Sequence, residues 1–257
     1  MKHTSAQLKA ISRKALNGNW GLPIASNMIL SATSFVIMFL IISFTNTTTV
    51  TGTITSEFLT YAVSLFISLF TAGITKMTLN ISRKQAYSMK DMLYVFHHNA
   101  DRFLIVGLVI VGISFITGLP VMFMSMNNNI PVSFILFFSV FDLIITVIID
   151  LFLGLSICLL LDHPEMNAMD SMKESIRLMK GNKGRSLYIN LSFLPLALLS
   201  VLTCYIGLIW LVPYMNMTMV NFYRDIIGEL NTPDNTPTGD FPTMTIEQNS
   251  NETNSNF

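Results

Sequence analysis

Apolar residues along this chain gather into long unbroken runs instead of alternating with polar ones. Segments 24–44, 58–79, 103–124, 134–161 and 187–206 each hold about 20 residues nearly free of charge, the length that crosses about 30 Å of hydrocarbon as a helix. None carries the polar stripe at a 3.6-residue period that a surface helix of a soluble domain would show. The pattern predicts an all-α fold, a polytopic membrane helix bundle.

The last run needs a closer reading. Residues 187–227 stay apolar for about 40 positions, too many for one crossing. A break at Cys204-Tyr205-Ile206-Gly207 would divide them into spans 187–204 and 208–226 joined by a tight turn. That gives six transmembrane helices; one long fifth span, weakened by Asn216 and Asn221, is the five-span alternative.

Between the runs lie shorter stripes of another kind. Met89, Met92, Leu93 and Phe96 recur at helical spacing, as do Met169, Met172, Ile176 and Met179, and more briefly Leu8, Ile11 and Ala15. Ser88-x-x-Asp91 and Ser171-x-x-Glu174 fit the capping pattern of a helix start, with Thr4-x-x-Gln7 as a weaker equivalent. Each stripe ends near an asparagine, at Asn19, Asn99 and Asn182. Gly18-Asn19 and Gly181-Asn182 read as left-handed helix stops that turn the chain into the next span. The chain therefore reads as three repeats of interfacial helix, stop and transmembrane hairpin, at about 5–80, 88–161 and 168–227. Together they form an integral membrane domain over 1–228, followed by a disordered acidic cytoplasmic tail at 229–257.

Charge supplies the orientation. The net charge is zero, but all 15 Lys and Arg fall in four places: the first 14 residues, 76–102, 173–185 and Arg224. The connections 45–57 and 125–133 contain none. Positively charged loops stay in the cytoplasm, so the N-terminus, both basic loops and the C-terminus are expected inside a cell membrane. Lys173, Arg177, Lys180 and Lys183, with Lys9, Arg13 and Lys14, would meet anionic headgroups of the lipid bilayer. Overall composition agrees: 12% of residues are charged, against about 25% in soluble domains. Cys158 and Cys204 lie in apolar runs and read as free thiols.

Several short motifs sharpen the picture. Gly18-Asn19-Trp20-Gly21, Asp162-x-Pro164, Ser175-x-Arg177-x-x-Lys180-Gly181-Asn182-Lys183 and Gly207-Leu208-x-Trp210-Leu211-x-Pro213-Tyr214 occur in order, followed by Phe222-Tyr223-Arg224. In this combination the chain resembles a bacterial integral membrane family known as domain of unknown function 975, over roughly residues 6–228. The resemblance implies a multi-pass membrane protein and assigns it no catalytic residues. It gives Gly18, Asn19, Trp20, Gly21, Asp162, Pro164, Arg177, Gly181, Asn182, Pro213, Tyr214, Tyr223 and Arg224 a structural meaning.

Candidate chemistry is sparse. Asp142, Thr146 and Asp150 stand at i, i+4 and i+8 inside the span 134–161, where an ionised carboxylate is costly and marks a functional hypothesis. The competing reading has them hydrogen-bonded to neighbouring spans. His97-His98 lacks a third ligand at metal spacing, so no metal is expected. Asp162 before Pro164 reads as a helix start. Pro120, Pro195 and Pro213 are expected at kinks. No nucleotide, nucleophile-elbow or metalloprotease motif is present, no cofactor is implied, and the basic clusters lack the aromatic interleaving of a nucleic-acid surface. The leading expectation is a non-enzymatic component, transporter-like, lipid-handling or part of an envelope complex. A regulatory or immunity-type protein that binds another membrane protein is one alternative, and a membrane-embedded lipid hydrolase or transferase is a second.

Overall fold

A computed structural model describes residues 2–45, 49–127 and 130–231. The acidic segment 232–257 lies outside the described residues.

The helices follow the apolar runs, with ends set by local chemistry. α1 (Ser5–Leu16) starts at a full capping box between Thr4 and Gln7. α2 (Gly21–Phe44) and α3 (Val50–Ser82) form the first hairpin. A 3-10 turn (Met89–Leu93) and the single-turn α4 (Tyr94–His97) lead to α5 (Ala100–Ser125). α6 (Val132–Leu153) and α7 (Ser156–Asp162) make one crossing interrupted at Gly154. After α8 (Ala168–Met179), α9 (Lys183–Leu191) and α10 (Leu194–Leu202) make another, broken ahead of Pro195. α11 (Leu208–Ile226) and a 3-10 turn (Glu229–Asn231) complete the chain. Among the described residues there is no strand.

Five segments are long and apolar enough to cross a membrane: Gly21–Phe44, Val50–Ser82, Ala100–Ser125, Val132–Asp162 and Lys183–Leu202. Their outward faces are apolar, as lipid contact requires; Phe35 and Phe39 on α2 and Phe134 and Phe137 on α6 are exposed. The break foreseen at 204–207 is a turn in which Cys204 and Tyr205 adopt left-handed φ of 51° and 66°. It returns the chain through α11, which buries Met217, Thr218, Val220, Asn221, Phe222 and Tyr223 against α1, α2 and α3. α11 thus ties the first helices of the chain to its last turn.

The three helix stops share a left-handed residue. Gly18 and Gly181 both have φ +82°, and in the middle unit Asn99 itself takes φ +53°. Asn19 and Asn182 each donate from Nδ2 to the carbonyl four residues back, at 3.2 and 2.8 Å. The segments around the three stops also contact one another in a cycle. Tyr87, ahead of the second unit, donates to Asn19 Oδ1 (2.6 Å). Arg102, three residues after Asn99, donates to the Pro164 and Met166 carbonyls ahead of the third unit. Arg185, three residues after Asn182, donates to the His3 carbonyl (2.7 Å) ahead of the first, and Lys2 reaches Asn182 Oδ1 (2.8 Å). The N-terminal residues thus dock on the start of α9.

Two expectations need correction. The middle stripe forms no continuous helix over 88–98: the 3-10 turn rotates its residues, so Met92 and Val95 are buried while Leu93 and Phe96 face outward. α8 begins at Ala168 with Asn167 before it, so Ser171 is no cap; it lies inside the helix and its hydroxyl donates to the Ala168 carbonyl. α1 is packed against the bundle, burying Leu8, Ser12 and Leu16. Lys9 sits 3.8 Å over the Phe193 ring and donates to the Ser192 carbonyl, and Lys183 sits 3.4 Å over Phe152.

Candidate functional site

Two polar regions stand out, one at each end of the bundle. At the end where α2 and α5 finish and α3 and α6 begin, a cleft of about 240 Å³ lies among α3, α5 and α6. Glu57, Tyr61, Ser139 and Asp142 bring polar groups to it, and Phe115 and Met122 supply apolar wall. Asp142 Oδ1 accepts a 2.5 Å hydrogen bond from Thr117 Oγ1, which fixes one oxygen against α5. Tyr61 packs edge-on to Phe115, ring centroids 5.2 Å apart. Gly118 makes room for it, since a Cβ there would stand 2.7 Å from the tyrosine hydroxyl.

Of the three polar residues singled out on α6, only Asp142 faces this cleft. Thr146 is exposed and its hydroxyl returns to the Asp142 carbonyl (3.0 Å). Asp150 is exposed as well, one turn before the Gly154 break. The i, i+4, i+8 spacing drifts by about 80° and about 12 Å over eight residues, so a shared stripe does not make a shared site.

The opposite, basic end holds a denser network, and here the motif residues meet. Asp162 ends α7 instead of starting a helix. Its carboxylate takes both terminal nitrogens of Arg83, at 2.6 and 2.8 Å, and the Tyr223 hydroxyl at 2.8 Å. Arg83 turns its other edge to Glu229, with Nε and Nη2 at 3.0 and 2.7 Å. Arg224 joins Glu229 from the other side at 2.9 Å and donates through Nη1 to the Ser82 carbonyl and hydroxyl, both 2.6 Å. From Ser82 the chain of hydrogen bonds runs to Asn221 (2.6 Å), then to Ser12 (2.9 Å) and the Leu8 carbonyl (2.7 Å), through groups that are buried. Hydrogen bonds donated to Asp162, against the opposing pull of burial, push the Arg83 pKa up. Burial by itself would raise the Glu229 carboxyl, but hydrogen bonds from Arg83 and Arg224 outweigh it and hold the group below its ordinary value. Glu229, assigned from sequence to the tail, is therefore part of the folded end.

A second knot lies beside the first. Asp225, its side chain fully buried, accepts from Arg185 Nη2 at 2.5 Å and from the His3 main-chain N–H at 3.1 Å, with His3 Nδ1 2.7 Å away. Asn182 Oδ1 accepts from the same Arg185 (3.2 Å) and from Lys2 (2.8 Å). Tyr214, after Pro213 inside α11, donates to the Lys9 carbonyl (3.2 Å) and stacks edge-on with Phe193. Gly18, Asn19, Trp20 and Gly21 form the stop between α1 and α2, and Gly181 the equivalent stop after α8. Pro164 supplies the carbonyl that receives Arg102 and Asn99. Arg177 is exposed on α8 and pairs with Glu174 (2.6 Å). Sequence reasoning missed Arg83, Asp225 and Glu229, whose partners are remote in the chain. It also missed Glu57 and Thr117. Among the described residues no group of three or more His, Cys, Asp or Glu could hold a metal ion.

No curated protein and no solved structure matches the chain. The profile of a family described as protein of unknown function (DUF975) matches residues 1–229, from the first residue to the glutamate that closes the basic end. The chain belongs to that family.

Proposed function

We propose that the chain is a multi-pass protein of the cell membrane that binds a small cationic group in the α3–α5–α6 cleft, in the manner of a transporter and without catalysis of its own. The observation that carries this reading is that Glu57 and Asp142, on different helices, face one cleft together with the Tyr61–Phe115 pair. A carboxylate at this depth is costly unless a counter-charge meets it, and no Lys or Arg lines the cleft. An ammonium group would neutralise the acids and lie against the aromatic faces.

In this reading α11 is the sixth crossing, the basic end is cytoplasmic, and both termini are inside. Support comes from Arg224, which meets Arg83 and Glu229 at the same end as the basic loops. Lys173 and Arg177 on α8, and Lys180 just after it, are exposed beside exposed Met169 and Ile176, a mixed surface suited to anionic headgroups.

The test uses full-length protein reconstituted in phosphatidylcholine vesicles, with radiolabelled methylammonium as probe. Saturable uptake that disappears in Asp142→Asn, at unchanged protein incorporation, is expected. Wild-type vesicles that take up no more methylammonium than empty ones would reject the reading.

A further inference from the structure

Glu229 is held more tightly than the start of a short terminal turn requires. It follows Gly228, whose φ of +83° swings the chain off the end of α11. Two guanidinium groups bracket its carboxylate. Arg83 presents Nε and Nη2 at 3.0 and 2.7 Å, and Arg224 presents Nε and Nη2 at 2.9 Å each.

The bracket does not depend on Glu229 for its shape. Asp162 fixes the far edge of Arg83, and Tyr223 fixes Asp162. The Ser82 carbonyl and hydroxyl fix Nη1 of Arg224. Two planar forks, each anchored from behind, converge on one small oxyanion. That arrangement suits the oxygens of phosphate: Arg83 already spans both carboxylate oxygens, and the two nitrogens of Arg224 converge on one of them, an array that several oxygens of a phosphate could satisfy. The position is also reachable: the Glu229 side chain is 28% exposed, whereas that of Asp225 in the neighbouring knot is fully buried.

The geometry points to a phosphate-binding site at the basic end, formed by Arg83 and Arg224 and filled by Glu229 as an internal plug. Pivoting at Gly228 withdraws the carboxylate. Arg83 and Arg224 then face Asp162 as the one remaining carboxylate of the bracket, leaving a net positive charge for an incoming phosphate. Inorganic phosphate and a phospholipid headgroup share the chemistry the forks recognise. The site is separate from the cleft, so it stands or falls independently of methylammonium uptake.

The experiment uses the full-length chain in phosphatidylcholine nanodiscs. A spin label at Asn231→Cys, in a Cys204→Ser background, reports the freedom of the terminal turn. Adding inorganic phosphate at constant ionic strength should mobilise the label, while chloride should not. Glu229→Gln, which removes the competing charge, should bind phosphate about tenfold more tightly or better, because a site occupied nine-tenths of the time by its plug loses that factor in apparent affinity. Adding Arg83→Gln should abolish the gain. Nanodiscs doped with phosphatidic acid form the second arm: mobilisation there but not with inorganic phosphate assigns the site to a lipid headgroup, and mobilisation by both assigns it to phosphate groups in general. If Glu229→Gln does not fold, the label on otherwise wild-type protein still decides. A label unmoved by both phosphate and phosphatidic acid, or a folded Glu229→Gln whose phosphate affinity equals that of wild type, overturns the proposal.

Discussion

Arg83→Gln strikes the point where three elements are tied together. In the folded protein this guanidinium serves two carboxylates, Asp162 on one edge and Glu229 on the other. Its loss leaves Glu229 with Arg224, but leaves Asp162, whose side chain is 11% exposed, with the Tyr223 hydroxyl alone. Breaking a buried pair by removing one partner costs about 3–5 kcal/mol. Because Arg83 is 20% exposed and one of its two acids keeps a partner, the expected loss is at the lower limit, about 3 kcal/mol. Asp162→Asn should cost less, about 1–2 kcal/mol, since Arg83 keeps Glu229 and the amide can still accept from Tyr223. The informative variant is the double one. With Asp162 neutral there is no stranded charge, so Arg83→Gln/Asp162→Asn should be more stable than Arg83→Gln alone, a coupling of at least about 1 kcal/mol. Unfolding by sodium dodecyl sulfate titration of protein in mixed micelles, followed by circular dichroism, gives the cycle. A double variant whose loss equals the sum of the two single losses would refute the argument that Asp162 depends on this one partner.

Two further outcomes follow from the geometry. Gly73→Ala would place a Cβ 2.6 Å from the Met92 carbonyl carbon, a main-chain atom that cannot turn aside, so a loss of about 1–3 kcal/mol is expected in the same titration and a neutral result would contradict the packing of α3 against the 3-10 turn. The Glu229 ion pairs should show in the pH dependence of stability. The folded carboxyl titrates below its ordinary value, so its contribution is complete above the unfolded pKa of about 4.3 and is lost as pH falls through the lower folded value; the stability gap between wild type and Glu229→Gln should hold from neutral pH down to about pH 5 and close below about pH 4. A gap that closes between pH 7 and 5 would contradict the assignment.

The sequence disclosed what local rules control. The crossings, the turn at 204–207 and the left-handed stops at Gly18 and Gly181 depend on apolar length and on the conformational freedom of glycine, both readable residue by residue. The packing of α1 was half legible. The apolar stripe Leu8, Ile11, Ala15 lies one position off the buried line Leu8, Ser12, Leu16, because Ser12 earns its place through Asn221, which stands 209 residues away. Asp162 next to Pro164 has every local mark of a helix start, and only the fold reveals that Arg83 and Tyr223 claim it from 79 and 61 residues away. The cleft was partly visible: Asp142 stood out as an acid in an apolar run, whereas Glu57, close to the end of its helix, did not.

The native cysteines offer the most direct check on the account as a whole. Cys158 is buried between α7 and its neighbours, while Cys204 is exposed at the turn between α10 and α11. With six crossings and the basic end inside, that turn faces the exterior. A membrane-impermeant maleimide applied to intact cells should therefore label the unmodified protein at Cys204. A Lys180→Cys variant in a Cys204→Ser background should be labelled only after permeabilisation. Labelling of Lys180→Cys on intact cells, or of Cys204 only after the membrane is opened, would contradict the account.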